Sequence, residues 1–509
     1  MAVAGGYALL LIFSGALFAR RRRSSEEYFR GGGRVAWWAA GISLLATALS
    51  AATFIGGPQQ SYQGDLSYLI SNLGSILAIL VVALFFIPVY YRYKLSTVYG
   101  LIGLRYGTTA RQWTAGVYFS GRLFASGSRL YIAALPLSLI LFGDTHLKNL
   151  FLSIAILTIV GIFYTWVGGI RSVIWSDVLQ TIIFTGAAVV ALVVLWDRIP
   201  LTSGEIWDAL SDPGESSPSK LRILKWVGEG WGPSNNYTLL TALTGFFILN
   251  LGAYGADQDL AQRLLACRRP VEGSKAALGG ILLGLPITFL FLTVGLLLWI
   301  FYQRGDLMEG AAPGYIPAPR EVFLKFILRE MPPGLRGLMM SGLFAAALST
   351  LNSGINAMGS SFVYDFYRPL RPGRSEEHYL RIGMVSVVVV GIGLGLVAAG
   401  CALWQHFRPQ TTLIDFALSV MTFAYSGLAA VYLTAIFTNR GSARSIIFAL
   451  LVGWMSVLVM QIFLSQRLAF PWQLTLGFLL SLGCALLGKE ELQPASKLNS
   501  EMSNQNPSF

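Results

Sequence analysis

Thirteen stretches of this chain are apolar over roughly 20 residues each, and that feature removes most folds from consideration. They run at approximately 2–19, 35–60, 66–92, 113–142, 148–168, 174–197, 236–258, 272–303, 335–364, 376–403, 410–437, 445–465 and 469–488. A helix needs about 20 residues to cross a hydrocarbon core of about 30 Å, whereas a membrane strand needs only about 10. Lipid offers no partner to an open backbone amide, so runs of this length are read as spanning helices. The expectation is an all-α membrane protein with about 13 transmembrane helices. Composition agrees: 54% of residues are hydrophobic and 12% charged, against about 25% charged in soluble domains. A soluble enzyme, a disordered scaffold and a disulfide-stapled secreted domain are excluded.

The formal charge of +12 invites a nucleic-acid reading, but its location argues otherwise. If the first helix runs from outside to inside, 23 of the 37 Lys and Arg fall in cytoplasmic connections, 12 fall outside, and Arg122 and Arg129 lie within a helix. The clusters Arg20 to Arg23, Arg92 with Lys94, Arg268 with Arg269, and Arg368, Arg371 and Arg374 are all then cytoplasmic. The positive-inside rule places the N-terminus outside and the C-terminus in the cytoplasm, in a plasma (inner) membrane, with the lipid bilayer as partner and no nucleic acid. Residues 1–19 carry no positive charge ahead of the apolar run and four arginines directly after it, so they read as a retained helix rather than a signal peptide.

Cys267, Cys401 and Cys484 are scattered, and His146, His378 and His406 sit in connections on different sides. Neither a thiolate or imidazole metal site nor a buried acid/base relay can be read, and no enzyme is expected. The P-loop pattern is absent and no connection is long enough for a nucleotide-binding domain, which argues against an ATP-driven pump. The expected organisation is a first helix and basic segment over 1–34, a transport core over 35–440, two peripheral helices over 441–488 and a polar, disordered cytoplasmic tail over 489–509. Longer outer loops are expected over about 198–235 and 304–334, each rich in proline. Helices two to eleven divide into two sets of five; an odd count inverts the second set, the arithmetic of a five-plus-five inverted repeat.

Several polar features lie inside the bilayer. The second helix is filled with small residues and carries Gly56-Gly57-Pro58, which is expected to interrupt it. Either the interruption lines a cavity, where freed carbonyls meet an ion or water, or the helix ends early and its small residues serve close packing. On the ninth helix Ser349, Ser353, Asn356 and Ser360 share one face, and their neutral oxygens suit a hard monovalent cation or cross-helix hydrogen bonds. Asp177, near the cytoplasmic start of the sixth helix, could ligate a cation; its position favours the membrane interface. Arg129 could present a fork to a substrate carboxylate, snorkel, or pair with Asp177.

Six phrases together resemble one family. They are Glu27-Tyr-Phe29-Arg-Gly-Gly-Gly-Arg34, Trp38-Ala-Ala-Gly41, Tyr164-Thr-Trp-Val-Gly-Gly169, Val173-Ile-Trp-Ser-Asp177, Asp257-Gln258 with Gln262-Arg263, and Ser349-Thr350 ahead of Asp365. Their order and spacing over about residues 7 to 440 are similar to the sodium/solute symporter family, and within it to the bacterial sialic acid symporter branch. The resemblance implies a transporter core with broken helices and a sodium site at the carbonyls of Ala46, Leu49 and Ala346 and the hydroxyls of Ser349 and Thr350. Some members hold a second sodium, which would fall at Asp177, Ser349, Ser353 and Asn352, the last standing where that branch has serine. Substrate positions match at Ser50, Thr53 and Arg129, while Ala48, Tyr68 and Asn72 replace a threonine, a phenylalanine and a glutamine. Against the sugar-transporting branch, Ala52, Thr53 and Ala253 replace a glutamate, a glutamine and a gate tyrosine, although Asn250 remains, so a hexose is disfavoured.

The resemblance thus implies sodium-coupled import of a small polar organic solute by alternating access, carboxylate-bearing in the manner of a sialic acid, amino acid or monocarboxylate. One sodium ion, with a second in prospect, is the expected cofactor; no organic cofactor and no obligatory protein partner are expected. The competing readings are a symporter of a neutral polyol or sugar-like solute, with Arg129 structural, and a transporter-like solute sensor, against which the missing output domain weighs. A simple ion channel ranks third.

Overall fold

The computed structural model describes residues 28–29, 35–168, 170–214, 218–225, 234–308, 314–407 and 412–489. The expected first helix, the Arg20 to Arg23 cluster, most of the Glu27 to Arg34 phrase, Gly169 and the tail beyond Lys489 lie outside these residues. The rest is a bundle of helices: α1 (Trp37–Ala48), α2 (Ala51–Gln63), α3 (Leu66–Arg92), α4 (Gly100–Tyr106), α5 (Thr108–Phe142), α6 (Leu147–Gly168), α7 (Ile170–Arg198), α8 (Ser203–Ser211), α9 (Leu239–Ala256), α10 (Gln258–Leu265), α11 (Pro270–Gln303), α12 (Val322–Arg329), α13 (Pro333–Leu370), α14 (Glu376–Phe407), α15 (Leu413–Phe437), α16 (Ala443–Phe463) and α17 (Phe470–Leu487). Eleven helices among the described residues are long and apolar enough to cross a membrane, and the bent pair α1 and α2 makes a twelfth span. Each coincides with one of the twelve apolar runs expected after residue 35.

The centre of the bundle is made by α13, α15 and α5, whose apolar windows are 89%, 83% and 78% buried; α16, at 28%, faces lipid over most of its surface. Within the core α13 packs on α7, α11 on both α1 and α2, and α5 on α14 and α15.

Two helices are broken, and they are the first members of the two sets of five. Between α1 and α2 the axis turns by 59°. Between α9 and α10 the chain leaves helical geometry at Asp257, with φ −89° and ψ 119°. Discontinuous helices at corresponding places in two halves are the mark of inverted-repeat transporters, whose sites lie at those breaks.

The first break is not where Gly56-Gly57-Pro58 placed it. These three residues lie inside α2 and are buried; the chain breaks at Leu49 and Ser50, where the backbone is extended. Ser50 decides the place, because its hydroxyl accepts from the Ala52 amide at 3.2 Å and so caps the new helix. The glycines serve packing instead. A Cβ on Gly56 would come within 2.8 Å of the Ile414 side chain, and one on Gly57 within 3.2 Å of Phe291. The partner helix makes the same concession, since a Cβ at Gly295 would sit 2.2 Å from the Pro58 carbonyl oxygen and 2.1 Å from the Ser61 hydroxyl. Gly295→Ala is therefore expected to destabilise the protein by about 1–3 kcal/mol, the usual cost of overpacking. A melting temperature in detergent equal to wild type would show that α2 and α11 part at no cost.

Candidate functional site

The geometry begins with the end of α1. The Leu49 amide bonds the Leu45 carbonyl at 2.8 Å, the last bond of that helix. The carbonyls that follow have no intrahelical donor, and they sit at the negative end of the helix dipole. Ala46 and Leu49, two of the residues at this helix end, line a cavity of ≈ 10 Å³ together with Ala346 and Ser349 of α13 and Gln180, Thr181 and Phe184 of α7. Four of the five residues expected to hold the first sodium thus converge from two helices. The fifth, Thr350, donates to the Ala346 carbonyl at 3.2 Å.

Whether these residues suit a sodium ion can be tested on their chemistry. The donors are neutral oxygens, the ligand type for a hard monovalent cation that must also leave. Beside them lies Gln180, 1% exposed, whose amide oxygen and nitrogen both lack a hydrogen-bond partner. Buried polar groups are normally satisfied, so the cavity wall contains an oxygen that a cation would satisfy. The residues fit.

Asp177 departs from its expected place. It is fully buried rather than interfacial, because three side chains take it out of water together. Ser349 donates to its Oδ1 at 2.6 Å, Ser43 donates to its Oδ2 at 2.5 Å, and the Arg263 guanidinium stands 3.4 Å from Oδ2. Arg263, counted above among cytoplasmic charges, is buried with it. It bonds Asp259 at 2.7 Å and the Ser43 hydroxyl at 2.8 Å, while Arg122 pairs with Asp259 and with Asp257 at 3.1 Å. Tyr425 donates its hydroxyl to Asp257. Three carboxylates and two guanidiniums therefore form one water-free network with an excess of one negative charge, directly beside the small cavity.

Of the residues considered for a second ion, Ser349 and Asp177 bond each other, and the others have partners of their own. Ser353 donates to Asp259 at 3.2 Å, Asn352 accepts through its amide oxygen from Thr165 at 3.3 Å, and both Asp177 oxygens are engaged.

A second cavity, ≈ 130 Å³, adjoins the first through Leu49, which lines both. Its wall includes Thr53, Tyr68, Asn72, Arg129 and Asn250, five of the six residues expected to meet substrate. Ser50, the sixth, is not on this wall and serves as the helix cap. Asn72 and Asn250 each donate an amide hydrogen to their own helix, at the carbonyls of Leu69 (3.1 Å) and Phe246 (2.7 Å). Tyr68 stacks edge-on against Tyr237 with centroids 5.2 Å apart. Arg129 is 8% exposed, yet no carboxylate among the described residues pairs with it; its guanidinium meets the Met421 sulfur at 3.5 Å. The suggested pairing with Asp177 is not made, because Arg263 occupies that carboxylate. A larger cavity, ≈ 750 Å³, opens among α14 to α17. It contains none of these residues.

Sequence reasoning missed Ser43, Gln180, Asp259 and the roles of Arg122 and Arg263. For Arg122, Asp259 and Arg263 the signal was present as ionisable residues within or next to apolar runs, which are expensive in lipid and hence candidates for function; Ser43 and Gln180 are neutral and carried no such signal. It was lost because Asp257 to Arg263 reads as a connection when the second helix break is not foreseen.

A model of the sodium:solute symporter family matches residues 28–453. The chain belongs to this family. Among similar proteins, the sodium/sialic acid symporter SiaT of Proteus mirabilis is 26% identical over 461 residues, covering 90% of this chain and 88% of that one. The human sodium-coupled monocarboxylate transporter 2 is 28% identical over 340 residues, 66% of this chain and 52% of that one. Among solved structures, a sodium-coupled sialic acid symporter described as substrate-bound and outward-open aligns with a TM-score of 0.82 at 24% identity over 96% of this chain and 98% of that one. The nucleobase-cation-symport-1 transporter Mhp1 aligns with a TM-score of 0.55 at 15% identity over 96% and 97%. These likenesses confirm the fold: a helical transporter core of the inverted-repeat kind.

Proposed function

We propose that this member of the sodium:solute symporter family imports a small organic carboxylate together with one sodium ion. The observation that carries the reading is Arg129, a buried guanidinium without an anion on the wall of a cavity that shares Leu49 with the ion cavity. An uncompensated buried charge costs several kcal/mol, and a substrate carboxylate binding the guanidinium fork removes that cost. The sodium is assigned to the oxygens of Ala46, Leu49, Ala346, Ser349 and Thr350. By binding between α1 and α13 it holds the broken helix against its partner while substrate enters; the loaded bundle then rocks inward, and sodium leaves to the cytoplasm. The N-terminus is assigned to the outside and the C-terminus to the cytoplasm, with α1 to α15 as the transport unit and α16 and α17 as accessory helices.

Volume narrows the substrate. A cavity of about 150 Å³ accepts benzene, and this one, at ≈ 130 Å³, is of that order. A compact carboxylate, of the kind named for the monocarboxylate relative, fits; a nine-carbon sialic acid, the solute named for the bacterial relatives, exceeds it. Much of the wall is apolar, with Leu45, Ala48, Leu249, Ala253 and Leu418, which suits a short hydrocarbon tail better than a polyol.

The deciding experiment is thermal stability of the purified protein in sodium against potassium across short carboxylates, amino acids, sialic acid and polyols. A ligand that binds only the native state stabilises it by about 2.7 kcal/mol at a hundredfold excess over its Kd. A sodium-specific rise in Tm that grows with one compact carboxylate is expected, and it should vanish in the Ser349→Ala, Thr350→Ala double variant. A rise only with a polyol would transfer the assignment to a neutral solute; no sodium effect at all would sink the ion site.

A further inference from the structure

We infer that Gln180 is a ligand of the transported sodium, so that the ion is held by three helices, α1, α7 and α13. The inference rests on the sodium site proposed above and extends it to an element that supplies none of the five oxygens already assigned. Gln180 lies one turn beyond Asp177 on α7, on the wall that also presents Thr181 and Phe184 to the cavity. Its neighbours in the helix are accounted for: the Thr181 hydroxyl returns to the Asp177 carbonyl at 2.8 Å, and Asp177 is held by Ser43, Ser349 and Arg263. Gln180 alone on this wall has both side-chain polar atoms buried and unpartnered among the described residues.

An amide in that condition is unfavourable, and a close-packed interior rarely retains one without a function. At ≈ 10 Å³ the space is at the lower limit for a single water, about one probe sphere. A bare sodium ion is smaller than water and approaches oxygen more closely, so the space admits it more readily than a water molecule. The neutral amide also suits the charge of the site. The excess negative charge of the Asp177, Asp257 and Asp259 network already attracts a cation, and a neutral sixth oxygen adds coordination without slowing release.

The test separates a ligand from a packing residue. In potassium, Gln180→Leu removes an unsatisfied amide of similar volume, and its Tm should equal or exceed that of wild type. In sodium, its Tm rise should shrink and its sodium Kd should increase by at least about tenfold, the lower end for a bond to a charged group. Gln180→Glu, which keeps the oxygen, should restore sodium binding to wild-type strength or better. A Gln180→Leu protein that binds sodium with wild-type Kd overturns the inference, as does one that loses Tm equally in both ions while Gln180→Glu restores only stability. If wild type itself shows no sodium response, the underlying site assignment fails instead, and the Ser349→Ala, Thr350→Ala control distinguishes the two results.

Discussion

Arg129→Gln should abolish measurable carboxylate binding while making the ligand-free protein more stable. The two effects have one cause. In the free protein the Arg129 charge is buried without a carboxylate, and a neutral side chain of similar reach removes that cost. In the loaded protein the same charge is half of a desolvated pair, and truncating one partner of such a pair costs about 2–5 kcal/mol, a 30-fold to several-thousand-fold loss in affinity. Arg129→Lys retains the charge but not the planar fork, so it should recover part of the affinity. Tm in potassium, Tm with saturating carboxylate and uptake into proteoliposomes check all three statements. Uptake of the carboxylate with unchanged KM in Arg129→Gln would remove Arg129 from the substrate site and leave it a structural cation.

Accumulation of the substrate should be indifferent to membrane potential. The buried charges explain why. Asp177, Asp257 and Asp259 exceed Arg122 and Arg263 by one negative charge, while Arg129, on the same cavity wall as Arg122, is a positive charge without a carboxylate partner among the described residues. One sodium beside the network and one carboxylate at Arg129 add no net charge, whereas either alone changes the net charge in a medium of low dielectric, which favours binding the two together. A second sodium would move one net charge inward and gain about 2.3 kcal/mol per 100 mV, about a 50-fold difference in accumulation. Proteoliposomes with a potassium diffusion potential of either sign, at a fixed sodium gradient, should therefore reach the same internal concentration. A 50-fold response would show that Arg263 gives way at Asp177 to a second ion, with Ser353 and Asn352 leaving their present partners. A neutral substrate with one sodium would give the same voltage response, and substrate charge distinguishes the cases.

The twelve spans from residue 35 onward were legible in the sequence because crossing lipid is a local requirement: each helix must satisfy its own backbone and face its own solvent. The residues of the ion cavity were legible by resemblance, and four of the five meet around one cavity. Where the second span breaks was misjudged. Helix geometry is decided by which capping and packing contacts are available, and Gly56 found close packing on α15 and Gly57-Pro58 on α11 while Ser50 found an amide to cap. The partners of Asp177 could not be read at all. A carboxylate at an apolar edge is costly or cheap according to what stands opposite, and Ser43, Ser349 and Arg263 are 134, 172 and 86 residues away in the chain. Sequence by itself determined that the chain spans the membrane as a broken-helix transporter; only the tertiary structure decided which buried charges cancel and that Arg129 lies on a cavity wall without a carboxylate partner among the described residues, because charge balance depends on distance in space.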